Sequence, residues 1–167
     1  MAEPITITVH GIPGPQGSKR HVGNGVMVES SKKVKPWRQD VKAAALTAMQ
    51  TGQHHDLIPL SRPPLDGPLA VSMVFTMREQ PTAKPSWWPA GAAWSRKLLW
   101  RPATMPDLSK LARSTEDALT GVVWKDDARV VEYVRLAKYY IGHPADDVLP
   151  HGPGCVIRVW TLQEAAA

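Results

Sequence analysis

Asp107-Leu108-Ser109-Lys110-Leu111-Ala112-Arg113-Ser114-Thr115-Glu116-Asp117-Ala118-Leu119-Thr120-Gly121 is the stretch on which the fold turns. Leu108, Leu111, Ala112, Thr115 and Leu119 recur at helical spacing and form a core stripe. Lys110, Ser114 and Asp117 fall on the opposite side, with Arg113 beside them. Asp107 stands where a helix begins and Gly121 where one ends. The spacing predicts a helix over 107–121. On either side, Leu69 to Met77 and Val130 to Tyr139 read as strands.

Further out, Ile5, Ile7 and Val9 alternate with Thr6, Thr8 and His10, which predicts a strand with one buried face. Glycines and prolines punctuate residues 11–25, which read as a loop carrying Lys19, Arg20 and His21. Val26 to Val28 suit a short strand. Pro36 to Gln50 read as a helix: Pro36 fits its first turn, Trp37, Val41, Ala44, Ala45 and Ala48 share a face, and Gly52 suits its stop. Gln53 to Pro68 is a proline-rich connection. Residues 78–104 look irregular and hold Trp87, Trp88, Trp94 and Trp100. His143 to Pro153 is another loop, and Val156 to Leu162 the last strand. The expectation is one α/β domain over 1–167. It has a mixed sheet of about four to five strands, two principal helices packed on it, and a loop insertion at 78–104. No glycine-rich phosphate loop follows a strand, and Gly11-Ile12-Pro13-Gly14 matches neither nucleotide fingerprint.

A chain of 167 residues that is 43% hydrophobic can bury a core in one domain. Its net charge of +5 favours a polyanionic partner. With one cysteine, Cys155, an internal disulfide framework and a cysteine-based zinc site are excluded. Cys155 reads as a small buried residue on the last strand. No run approaches the ~18 apolar residues of a membrane span, and the N-terminus lacks a signal-peptide pattern. A soluble, intracellular protein is expected.

The chemistry concentrates in the acids. Asp107 at a helix mouth and Asp126 or Asp127 in the turn before a strand could each offer an oxygen to Mg²⁺, which needs one or two carboxylates beside a substrate phosphate. Plainer readings exist for each residue. Asp107 could cap its helix, Asp126-Asp127 could form a turn, and Arg113 with Asp117 could be a solvated ion pair. Lys19, Arg20, Lys32, Lys33, Lys35 and Arg38 form a basic run that could hold phosphates or simply be solvated. The Trp-rich loop could stack on unpaired bases, or build a hydrophobic dimer contact or a satellite core. Trp37, Trp124 and Trp160 read as packing. His54-His55 and His10 form no spaced ligand set, and Ser18, Ser30 and Ser31 lack a base partner.

Pro106-Asp107-Leu108-Ser109-Lys110-Leu111 with Arg113, then Asp117-Ala118-Leu119-Thr120-Gly121, then Asp126-Asp127-Ala128-Arg129-Val130-Val131 and a closing Lys138 resemble the RusA family of Holliday-junction resolvases. Val9-His10-Gly11-Ile12-Pro13 with Lys19 and Arg20 resembles that family's opening strand and basic loop. The resemblance implies a homodimeric, Mg²⁺-dependent endonuclease, with Mn²⁺ as a possible substitute. Such an enzyme places paired nicks across four-way DNA junctions, in a bacterial cytoplasm and encoded by a phage or prophage. It also implies that Asp107 and Asp127 bind metal, with Asp126 as the adjacent acid and Asp117 as the acid inside the helix. Arg113 assists catalysis, and Lys110 is a weaker candidate. One position departs from the pattern: Ser109 stands where the family has a second carboxylate. Ser109 could act through a water, or Glu116 or Asp117 could supply the charge. The alternative is a protein that binds branched DNA without cutting it.

Overall fold

Hydrophobic period translates almost directly into elements. A computed structural model describes residues 3–17, 19–21, 23–24, 27–29, 32–51, 60–78 and 80–163. Its elements are β1 (Ile5–His10), β2 (Lys19–His21), β3 (Met27–Glu29), α1 (Val34–Ala48), β4 (Gln50–Thr51), β5 (Leu60–Ser61), β6 (Leu69–Met77), α2 (Leu108–Leu119), β7 (Val130–Tyr140) and β8 (Gly154–Thr161). Four strands form the main sheet in the order β1-β8-β6-β7, while β2 pairs with β3 and β4 with β5 in two ribbons. β8 is antiparallel to both β1 and β6, and β7 is parallel to β6. β1, β6 and β7 therefore run in one direction and end at one edge of the molecule. This is the α/β mixed sheet with two helices that the sequence predicts.

The register stacks apolar side chains in layers across the strands. Ile7 pairs with Ile157, Ile157 with Met73 and Met73 with Leu136; the next layer joins Val9, Cys155, Phe75 and Lys138. Trp37, Val41 and Ala45 of α1 and Leu111, Ala112 and Leu119 of α2 share a core cluster with these layers, so both helices cover the same sheet face. Trp37 joins them. It is fully buried, its ring centroid lies 6.3 Å from that of Phe75, and its indole N–H donates to Thr115 Oγ1 at 3.0 Å. Gly14 lets the loop after β1 press on α1, because a Cβ there would meet the Lys33 carbonyl oxygen at 2.2 Å. Gly121, at φ +78°, takes the left-handed conformation that ends α2. Cys155 is buried, as its position on the last strand suggests.

Several boundaries and faces differ from expectation. α1 starts at Val34, ahead of Pro36, and ends at Ala48. Residues 11–25 include strand β2, and β8 begins at Gly154. Val26, Gly52, His54-His55, Ser18, Ser30 and Ser31 lie outside the described residues. Ser114 is not on the solvent side of α2: it is fully buried, and its hydroxyl has no hydrogen-bond partner among the described residues. The reason is that α1 packs on that flank, widening the buried stripe. In the Trp-rich loop, Trp88 meets Trp94 edge-on at 5.0 Å and donates to the Ala93 carbonyl at 3.2 Å, a satellite cluster of the loop's own. Trp87 keeps 47% exposure, and Trp100 stands edge-on to His143. Trp124 is fully buried, and Trp160 is half-buried. Among the described residues no helix is long and apolar enough to cross a membrane.

Candidate functional site

β7 is an edge strand, and its side chains on the helix side form a seam with α2. Val71 faces Tyr133, Met73 faces Leu136 and Phe75 faces Lys138. A strict two-residue period would send Tyr133 and Lys138 to opposite faces. The register shift between Val71 and Ser72 corrects the phase and brings both to the helix side. The Tyr133 hydroxyl donates to Glu116 Oε1. Lys138 Nζ donates to the carbonyls of Thr104 at 2.6 Å and Pro106 at 2.8 Å, fixing the approach to α2. β7 thus runs antiparallel to α2, with Lys138 at the helix start and Tyr133 near its end.

The acids distribute along this seam. Asp107 immediately precedes α2, yet its carboxylate makes no capping hydrogen bond. It lies 3.0 Å from Lys110 Nζ in a half-exposed pair of the kind that contributes little stability. Its charge also reaches Lys138, where it opposes the larger effect of burial, which lowers that amine's pKa. Asp127 is exposed in the 3₁₀ turn that leads into β7. Its charge is felt by Glu116. Burial pushes the Glu116 carboxyl up, the Tyr133 hydrogen bond opposes this, Asp127 and Asp117 add to the rise, and Arg113 counters it. Burial, with Glu116 alongside, pushes the Tyr133 phenol up as well. On α2, Ser109, Arg113 and Glu116 follow one another at helical spacing along the same polar stripe.

Other candidates have different partners. Asp126 Oδ1 accepts the Ala128 amide at 2.8 Å, so this acid caps its own turn. Asp117 is ion-paired with Arg38 of α1 rather than with Arg113. The pair occupies both a candidate metal ligand and a candidate phosphate contact. Lys32, Lys33 and Lys35 are exposed at the start of α1, and Lys33 shares a cleft with Pro106, the residue before Asp107. Lys19 and Arg20 lie in β2, with side chains outside the described residues. His10 is exposed at the end of β1.

Sequence reasoning missed Asp66. It binds Lys125 Nζ at 2.6 Å and Arg129 Nε at 2.8 Å, and these two cations, Lys125 first, hold its carboxyl below the usual range. The backbone beside it pairs with the same turn, Leu65 N to the Val123 carbonyl at 2.8 Å and Lys125 N to the Leu65 carbonyl at 3.0 Å. The segment carrying Asp126 and Asp127 is therefore pinned from both sides, and the cations flanking the acids are drawn toward Asp66. Its only sequence signal is one Asp before Gly67 in a proline-rich connection.

The donor set suits a hard cation. The seam offers carboxylate oxygens and a serine hydroxyl, with no thiolate or imidazole in the set. Among the described residues no group of three metal-ligating side chains is assembled. Mg²⁺ does not require one, since it binds through one or two carboxylates, waters and substrate phosphates. Asp107, at the start of α2, and Asp127, in the turn before β7, are both exposed but stand at opposite ends of the seam, about 15–20 Å apart along the 12-residue helix, so a single chain does not gather them round one ion.

Comparisons with known proteins bear on the chain's family. Over 55 residues, or 33% of this chain, it is 34% identical to the uncharacterized protein YqaN of Bacillus subtilis (strain 168). The chain spans 38% of that relative's length. The family model described as endodeoxyribonuclease RusA matches residues 10–145, from the last residue of β1 through the basic start of α1 and the whole α2–β7 seam. A sheet with an acid-bearing edge seam and a family match over most of its length place the chain in the RusA endodeoxyribonuclease family, a family of divalent-metal-dependent nucleases.

Proposed function

We propose that this protein is an endonuclease that cleaves branched DNA, four-way junctions above all, by hydrolysis of a phosphodiester with Mg²⁺, Mn²⁺ serving as a substitute. The observation that carries the reading is the seam itself: Asp107, which leaves its helix uncapped, and Asp127 lie on exposed ground within a match to a nuclease family. Asp107 at one end of the seam and Asp127 at the other would each offer a carboxylate to a divalent ion, with Glu116 the acid beside Asp127. A bound divalent ion lowers the pKa of a coordinated water and offsets phosphate charge. Arg113, beside Glu116, adds positive charge where the pentavalent phosphorus develops negative charge. Lys110 holds Asp107 in place, and Lys138 fixes the loop that presents it. Lys32, Lys33 and Lys35, together with Lys19 and Arg20, would grip flanking phosphates without reading sequence. A two-fold dimer would offer two such seams to a two-fold junction. A host-cell cytoplasm is the compartment that fits.

The test is a synthetic four-way junction incubated with and without Mg²⁺. Nicks that require the ion support the enzyme. Salt-sensitive binding with no nick in Mg²⁺ or Mn²⁺ supports a protein that holds junctions without cutting. Ser109 is the specific observation favouring that second reading.

Ser109 gives a direct prediction. It is exposed in the first turn of α2, where an added carboxylate also meets the positive end of the helix dipole. Ser109→Asp is expected to tighten Mg²⁺ binding about tenfold, the low end of what one charged contact contributes, without loss of thermal stability. Calorimetric titration showing unchanged or weaker binding would count against the seam as the ion's site.

A further inference from the structure

β1, β6 and β7 end together, and in open α/β sheets ligands bind outside the carboxyl ends of the strands. A cleft of about 440 Å³ opens there, between the loop after β1, the end of β6, the loop before α2 and the end of β7. Its walls are mainly apolar, with Pro13, Met77, Pro102 and Tyr140 among them. Lys33 and Arg78 bring positive charge to it, and none of its lining residues is acidic. Both cations are exposed, and no ion pair holds either among the described residues. Pro106 lines the cleft and Asp107 follows it in the chain, so the cleft lies beside the start of α2. Lys138 clamps the same loop through the Thr104 and Pro106 carbonyls.

We propose that this cleft receives an unpaired nucleobase of the DNA, with Lys33 and Arg78 on the phosphates either side of it. The inference rests on the nuclease reading and deepens it: the strand is positioned by one unstacked nucleotide beside the scissile phosphate. A mainly apolar cleft with two cations in its lining matches a base joined to anionic phosphates. A fully paired duplex keeps its bases stacked and gives the cleft nothing to hold.

The probe is a duplex carrying a single unpaired 2-aminopurine, compared with the same duplex fully paired, both titrated in Ca²⁺ to suppress hydrolysis. The wild-type chain is expected to bind the bulged DNA about tenfold more tightly, within the range for holding one base against protein side chains. The 2-aminopurine fluorescence should change on binding. Thr104→Trp, at an exposed lining position, should abolish the preference by filling the cleft while leaving paired-duplex affinity intact. Arg78→Gln, also exposed, should reduce the preference without filling anything. Equal affinity of the wild type for both DNAs overturns the proposal, as does a preference that survives both substitutions. Junction nicking without the preference would sink the cleft alone. The preference without nicking would sink the nuclease reading and leave the cleft standing.

Discussion

Trp37→Ala is expected to destabilise the protein by about 3–5 kcal/mol, the range for deleting a large buried aromatic side chain. Trp37 is fully buried between α1, the sheet and α2. Its removal opens a cavity beside Phe75 and takes away the donor to Thr115 Oγ1. The Thr115 hydroxyl keeps its own bond to the Leu111 carbonyl at 2.9 Å, so most of the cost is packing rather than an orphaned polar group. Trp37→Phe should fall between the two, retaining ring volume but not the indole N–H. Trp87, 47% exposed, provides the contrast, with Trp87→Ala shifting stability by only about 0.5 kcal/mol. Denaturant unfolding of the three variants measures this, and equal losses at Trp37 and Trp87 would mean that the helix-to-sheet core is wrongly described.

Asp127→Asn is expected to lower junction cleavage by about a hundredfold or more, since the charge stabilisation assigned to the bound ion amounts to several kcal/mol. Binding should hardly change, because the phosphate-gripping lysines are untouched. Asp107→Asn should behave alike. Asp126→Asn separates the seam from generic acidity. Its Oδ1 serves the Ala128 amide, a role an asparagine oxygen can keep, so its loss of rate should be much smaller. Single-turnover cleavage at saturating enzyme, paired with gel-shift affinity, reads both quantities. If Asp126→Asn proved as damaging as Asp127→Asn, ligation would have to run through the turn's capping residue instead.

Much of the architecture was legible because hydrophobic period is local. β6 has the bounds read from its apolar run, and the buried stripe of α2 contains Leu111, Ala112, Thr115 and Leu119 as their spacing predicts. Long-range pairing was not legible. Arg38 and Asp117 stand 79 residues apart and each looked available for a ligand of its own, yet they pair with each other. Asp66 reaches Arg129 across 63 residues, and nothing in its surroundings marks it as the anchor of the acidic turn. The seam was hidden for another reason. Tyr133 and Lys138 have opposite parity, and only the irregular register of β7 against β6 puts them on one face. Ser114 was misplaced because a helical wheel does not know which flank a second helix covers. Asp107 ran the other way: it sits where caps sit, and only coordinates show a carboxylate that leaves the cap unmade.

The most direct measurement is the position of a bound ion. Crystals soaked in Mn²⁺, with anomalous scattering recorded with and without a junction analogue, would locate it. The result expected is an anomalous peak in the α2–β7 seam at the carboxylate of Asp107 or of Asp127, strengthened by the DNA phosphate. A peak that touches neither carboxylate, with DNA bound, would contradict the assignment.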